Sequence, residues 1–504
     1  MDRDTGFLLP PDVRDWLPEG HLAWTVIDAV EMLDLTALIS TYRLGGRGRR
    51  AYDPAMMLTL LIYAYAVGLT SSRGIERACG HDVAFRVITA NQVPDHDTIA
   101  AFRVRHREVF KDLFIEVLKV CAAAGLGRVG TISVDGSKIA ANASSRRNRT
   151  AAGIAKAQAE LGEPEPDDPD LGDPDLGDPD LGGPELGDPE PDDRGLAGVV
   201  EDRLERAESS DAAEDAEHGP GRRGDEPPED MNDPTARRAR LARAAAKVAE
   251  QNAARAAEAA AQQQRYETRL AARNAHHATH GRFPKGRPPK APATPTEAPA
   301  TPTESTPAGD KPVRANTTDP DSRPLRTAQG FLQGFNSQAV VGDDQVVIAV
   351  EVVDQANDAG LLAPMTAAAL DNLARAGIDA PVETVLADTG YFTAGDITAL
   401  DDVHQQGRGP RPLVAPTRDA LRDPEQQQPP RQESRVRRRM RERLAEPEAR
   451  ERYRRRKVTV EPVFGQIKNR IADRFRVRGL VAVRAELTLI ATAHNLLKLH
   501  TATT

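Results

Sequence analysis

VGTISVDGSKIAANAS, residues 129–144, is where this chain changes its period. Up to about residue 125 apolar side chains recur at helical spacing. From here Val129, Thr131, Ser133 and Asp135 alternate with Gly130, Ile132 and Val134, as in a strand with one face buried. The strand ends on a carboxylate, Asp135. The rest of a sheet must come from segments further along the chain.

Upstream, HLAWTVIDAVEMLDLTALI and DPAMMLTLLIYAYAVGL read as helices, with Asp53-Pro54 as cap and first-turn proline. A third helix opens at Asp97 and buries Ile99, Phe102, Val109, Leu113 and Val117, leaving Arg103, Arg105, Arg107 and Lys111 mostly on its surface. With Arg43, Arg47, Arg49 and Arg50 in a nearby loop, these cations form a candidate DNA-contacting face or an ordinary solvated one.

Downstream, order breaks off until Gly330. DPDLGDPDLGDPDLG repeats every five residues and cannot bury enough apolar surface to offset ordering entropy, so residues 160–232 read as disordered; a calcium-binding repeat is the alternative. Asp233-Pro234 then caps an Ala- and Arg-rich helix to about residue 275, too poor in large apolar residues for a core, and so a protruding arm. Residues 281–315 read as a Pro-rich linker containing KGRPPK, either a spacer or the Gly-Arg-Pro core of a minor-groove arm. His276, His277 and His280 lack metal-ligand spacing and read as solvated. QGFNSQAVV and QVVIAVEVV flank Gly342-Asp343-Asp344 as a hairpin. A helix closed by Gly377, a buried strand ending at Asp388 and a strand RPLVAP complete a mixed α/β sheet with one long insertion after its first strand.

The 504 residues exceed one domain. Cys79 and Cys121 lie in apolar helical patterns, which disfavours a disulfide scaffold or cysteine-built metal site. The first residues lack the flanks of a signal peptide, and the longest apolar run, 54–70, is too short for a bilayer, so a soluble cytoplasmic protein without membrane contact is expected. The net charge of −9 is misleading. Residues 160–230 hold 27 acidic and five basic side chains, leaving 62 basic against 49 acidic elsewhere. The foldable parts are basic, as a polyanion partner requires.

If the strands ending at Asp135 and Asp388 are neighbours, both carboxylates face one hard cation. Glu461 lies in VEPVFGQIKNR, where Pro462 suits a first helical turn and Lys468, seven residues on, falls near the same face. The surrounding runs RVRRRMRER and RERYRRRK suit phosphates, although Glu442, Glu446, Glu448 and Glu451 also allow self-paired helices.

These motifs, VDGSKIAANAS, NTTDPDSR (residues 316–323) leading into QGFNSQAVV, ADTGYF, VEPVFGQIK and the closing HNLLKL, occur in family order. In them the chain resembles the bacterial insertion-sequence transposases that join an InsH-type N-terminal domain to a DDE catalytic domain of RNase H-like fold. The resemblance implies a helical DNA-binding domain (1–125), an RNase H-like mixed-sheet domain (126–144 and 316–504) and an insertion (145–315). It implies that Asp135, Asp388 and Glu461 bind two magnesium ions, with manganese able to substitute, and that Lys468 assists. Expected partners are double-stranded DNA carrying terminal inverted repeats, target DNA, and a second copy in a dimeric synaptic complex at the nucleoid. Expected DNA contacts are Arg103, Arg105, Arg107, Lys457, Lys468 and Arg470. In the family a tyrosine and an arginine precede the glutamate at set spacing; here Lys457 takes the arginine's place and Tyr453 lies one residue off the tyrosine's. A nuclease on the same fold, or a repeat-binding protein that no longer cuts, fits the same residues.

Overall fold

The computed structural model describes residues 12–42, 51–161, 234–292, 312–327, 330–417 and 433–504. Arg43, Arg47, Arg49, Arg50 and nearly all of the acidic repeat lie outside these.

The N-terminal part is helical: α1 (Leu22–Glu31), α2 (Thr36–Ile39), α3 (Pro54–Ala66), α4 (Ser72–His81), α5 (Val83–Ile88), α6 (His96–Arg105) and α7 (Phe110–Ala123). Asp53 caps α3 as expected, its Oδ1 accepting from the amides of Ala55 and Met56 at 2.8 and 3.0 Å. Every residue of α3 from Met57 to Ala66 is buried, so it is the central helix of the bundle. The single helix expected from Asp97 is two, α6 and α7. Tighter bonds from Arg107 N to Val104 O and from Val109 N to His106 O break it, around a buried His106 ring held by Tyr42 Oη at 3.0 Å.

The sheet runs β4 (Arg323–Thr327), β5 (Gly330–Val341), β1 (Thr131–Ala140), β7 (Thr384–Ala387), β8 (Arg411–Val414), with β6 (Val347–Val353) also on β5. β5 is antiparallel to its neighbours, and β1, β7 and β8 are mutually parallel. β1 does not stop at Asp135, because its pairing with β5 continues to Ala140. Nor is only one face covered. Ile132 and Val134 pack with α10 (Leu362–Arg375) and α11 (Ala394–Gln405), while Ser133 bonds Thr459 of α14 (Arg456–Gln466) at 2.9 Å. Period two therefore points Asp135, with Ser133, toward α14. α12 (Arg435–Ala445) and α13 (Pro447–Arg454) add Met440, Leu444 and Tyr453 to the α10 side.

The last helix, α15 (Leu480–Thr503), is long and apolar enough to cross a membrane, but 67 % of its apolar window is buried inside the protein, against α3, α7 and β6. It joins the bundle and the sheet in one apolar core, so packing is continuous across residue 125. Tyr65 Oη donates to Glu486 Oε1 at 2.7 Å within it.

The insertion has a folded root. β2 (Asn148–Thr150) pairs with β3 (Arg314–Asn316), and α8 (Ala151–Ala159) packs Ile154 and Ala157 against Leu241, Ala244 and Val248 of α9 (Pro234–His280). The expected arm is thus anchored by its first turns and runs five residues beyond residue 275.

Two buried histidines make the fold acid-sensitive. Burial, aided by Arg105, pushes His106 down to about 4. Burial also holds His494 at about 4, opposed by the Gln345 carbonyl and aided by Lys498. The unfolded chain protonates near 6.5, so the stability each contributes is complete above pH 6.5 and is lost as pH falls toward 4, about 3 kcal/mol apiece. Asp319, pushed up to about 6 by burial, acts oppositely over the same range. The readout is therefore a difference: urea midpoints of His106→Asn/His494→Gln are expected to fall less between pH 7 and 4.5 than those of the unaltered chain. Parallel curves would disprove it.

Candidate active site

Val134 and Ala387 are the last register pair of the parallel ladder; Asp135 follows on β1, and Asp388 follows just past the end of β7. The sequence left this adjacency open. Asp388 follows β7 and caps the 3-10 turn Thr389–Tyr391, its Oδ1 accepting from Gly390 N at 2.8 Å. Asp135 Oδ1 accepts from the amide of Gly136 at 2.9 Å. Gly136 leaves room for its neighbours: a Cβ there would meet the Gln338 carboxamide and lie 2.9 Å from Asp358 Oδ1, so those side chains would have to shift.

The third carboxylate approaches from α14. Arg456 Nη1 donates to Asp135 Oδ2 at 3.3 Å and Nη2 to Glu461 Oε1 at 2.9 Å, so one guanidinium bridges strand and helix. The arginine of the site is therefore Arg456 and not its neighbour Lys457, which is exposed. Tyr453, three residues earlier, is buried and donates to Ala387 O at 3.1 Å, directly behind Asp388. Tyr453 and Arg456 stand three positions apart, and Glu461 follows five positions after Arg456. Pro462 is not in the first turn, because the helix begins at Arg456. It leaves the Val458 carbonyl without its helical donor, and Gln345 Nε2 donates there instead at 2.9 Å.

Burial pushes the Asp135 carboxyl up to about 6; Arg456 and the Gly136 amide oppose this, and Asp388 and Glu461 add to it. An oxygen-only donor set suits a hard divalent cation. Among the described residues, however, no three acidic, His or Cys side chains stand close enough to share a metal. Arg456 holds the position between Asp135 and Glu461. The donor chemistry fits, and closure around a cation requires the guanidinium to yield.

A cavity of about 770 Å³ opens beside Gly136, lined by Lys138, Arg326, Asn336, Asp358 and Lys468. Burial, then repulsion from Lys138, lowers the Lys468 pKa. Asp358 is a fourth carboxylate that the sequence reading missed. Its Oδ1 accepts from Asn336 Nδ2 and Gln338 Nε2, each at 2.9 Å, and Tyr391 Oη donates to Gln338 Oε1. The signal was available: Asn336 and Gln338 are polar, two apart, on one face of a strand buried from Gln333 onward.

The expected DNA contacts separate. Arg103 is buried, donating to Thr70 O and Ser72 Oγ, and so does not belong to a surface face. Arg105 lies over Tyr42 and donates to Thr41 O at 2.8 Å; Arg107 is near Glu108 at 3.5 Å. Lys457 and Arg470 are exposed, and Lys468 is half-buried. Much of the basic run is internally paired: Arg439 and Arg443 with Asp401, Arg441 with Glu433, Arg452 with Glu448, Arg454 with Glu451.

Residues 11–105 match the model of a transposase domain (DUF772), and residues 421–500 match that of a transposase DDE domain. The chain carries the domains of an insertion-sequence transposase. The second match spans Tyr453, Arg456, Glu461 and Lys468, while Asp135 and Asp388 lie outside both. Neither a curated protein nor a solved structure matches the chain. A transposase of this domain content is an enzyme acting on nucleic acid, and DDE transposases in general use divalent metal ions.

Proposed function

We propose that this transposase has an RNase H-like catalytic domain that cleaves DNA at terminal inverted repeats and joins the ends to target DNA, with Asp135, Asp388 and Glu461 as its triad. The observation that carries the reading is that Asp135 and Asp388 each follow the last register pair, Val134 and Ala387, of two adjacent parallel strands, with Asp135 linked to Glu461 through Arg456. Two magnesium ions, or manganese, held by the triad would activate water or a DNA 3′-hydroxyl and stabilise the leaving oxygen. Arg456 orients Asp135 and Glu461. Tyr453 and the Tyr391–Gln338–Asp358 chain fix the backbone and turn that carry Asp388. Lys468 and Lys138, which line the cavity beside Gly136 with Asp358, would bind phosphate oxygens. Displacement at phosphorus is in line, and no residue here needs to form a covalent intermediate. The helical N-terminal region would recognise the repeats, and two copies would bring two ends together.

The test is incubation of the protein with labelled DNA bearing its own flanking repeats, with and without Mg²⁺. Metal-dependent nicking at the repeat ends followed by joined products is expected. Hydrolysis without joining makes the protein a nuclease, and binding without cutting across Mg²⁺ and Mn²⁺ series makes it a repressor.

A further inference from the structure

We infer that the far end of α9 is a second DNA-binding element, which inserts an arginine into the minor groove away from the catalytic centre. This rests on the reading of the chain as a DNA transposase and adds to it a separate contact site.

From residue 252 onward no residue of α9 is buried, so about 29 residues, or roughly 40 Å of helix, project beyond the root. Such a length of unpacked helix does nothing for the core. Its composition changes toward the tip: residues 265–290 hold seven lysines and arginines and one carboxylate, Glu267. Arg265, Arg269 and Arg273 repeat every four residues on one helical face.

The chain does not leave the helix as a loose linker. It reverses at Gly281 and lies back along α9, where His276 Nδ1 meets Arg282 O at 3.1 Å and Arg273 Nη1 donates to Pro284 O and Gly286 O at 3.3 Å. His277 stacks on Phe283 with centroids 4.1 Å apart, and Arg273 lies over the same ring. The motif KGRPPK is thus held at the tip by residues of the helix. Arg282, Lys285, Arg287 and Lys290 are all exposed, and among the described residues no ion pair involves any of them.

The local backbone suits a narrow groove. Gly286 has φ +124 and nothing within 4 Å of where a Cβ would be, so the chain is thin there. Pro288 and Pro289 bias the segment after Arg287 to extended backbone. A slender extended arm presenting one arginine matches the minor groove, whose narrow stretches concentrate negative potential. Affinity for phosphates alone would come from the flanking lysines.

The experiment compares the full chain with Arg282→Ala/Lys285→Ala/Arg287→Ala/Lys290→Ala, four exposed changes outside any core. Binding to duplex DNA is followed by fluorescence anisotropy across a salt series, with and without a minor-groove-binding polyamide. The variant is expected to bind at least tenfold more weakly, with a log–log salt slope shallower by about 3 to 4. The polyamide should weaken the unaltered chain and leave the variant unchanged. Equal affinity and slope for the two proteins overturns the inference while DNA binding stands. Loss in the variant with no polyamide effect overturns the minor-groove assignment. No DNA binding by the unaltered chain overturns this inference and the transposase reading together.

Discussion

Asp135→Asn, Asp388→Asn and Glu461→Gln are each expected to lower repeat-end cleavage by about three orders of magnitude with little loss of DNA binding. Each change keeps the shape and removes the negative charge that a divalent cation requires. The several kcal/mol such an ion contributes to the transition state correspond to that loss, at 1.36 kcal/mol per tenfold in rate. Asp135→Asn carries a second expectation that separates chemistry from folding. Burial already disfavours the charged form of Asp135. The carboxamide oxygen still accepts the Gly136 amide and Arg456 keeps its bond to Glu461, so at pH 7.5 the variant should remain folded with a cooperative melt. Cleavage within tenfold of normal in any one of the three variants would remove that residue from the triad.

Arg456→Ala should cost the fold about 3 kcal/mol, because it leaves Asp135 without its ion-pair partner. The side chain is only 12 % exposed, which places the pair in the range where removing one partner is costly. Glu461, at 46 % exposed, adds little to that figure. The variant's urea midpoint should also become strongly dependent on Mg²⁺, since the cation would then supply the charge that the guanidinium supplies in the unaltered chain. Arg456→Lys should fall between, as an ammonium cannot bridge two carboxylates as a planar fork does. Equal midpoints for Arg456→Ala and the unaltered chain without metal, or the same response of both to Mg²⁺, would show that Arg456 does not stand in for a cation.

Much of the C-terminal half was legible in the sequence because its signals are local. The hairpin at Gly342-Asp343-Asp344, the helix closed by Gly377, and the short strands before Asp388 and at Arg411 are set by two- and 3.6-residue periods and by turn residues. The break between α6 and α7 was not, because it depends on Tyr42 reaching His106 across 64 residues. Arg103 was misread for the same reason. A basic residue in a helix looks solvated until Thr70 and Ser72 are folded against it.

The sequence by itself determined the kind of most elements and their order, since hydrophobic period, caps and turns act over a few residues. Only the tertiary structure decided which strands are neighbours, and hence that Asp135 and Asp388 both follow the pair Val134 and Ala387. It also decided that Arg456 rather than Lys457 enters the site, because Ser133 and Thr459 fix how α14 is rotated on β1. Contacts between residues hundreds of positions apart depend on how faces pack, and no local pattern encodes that choice.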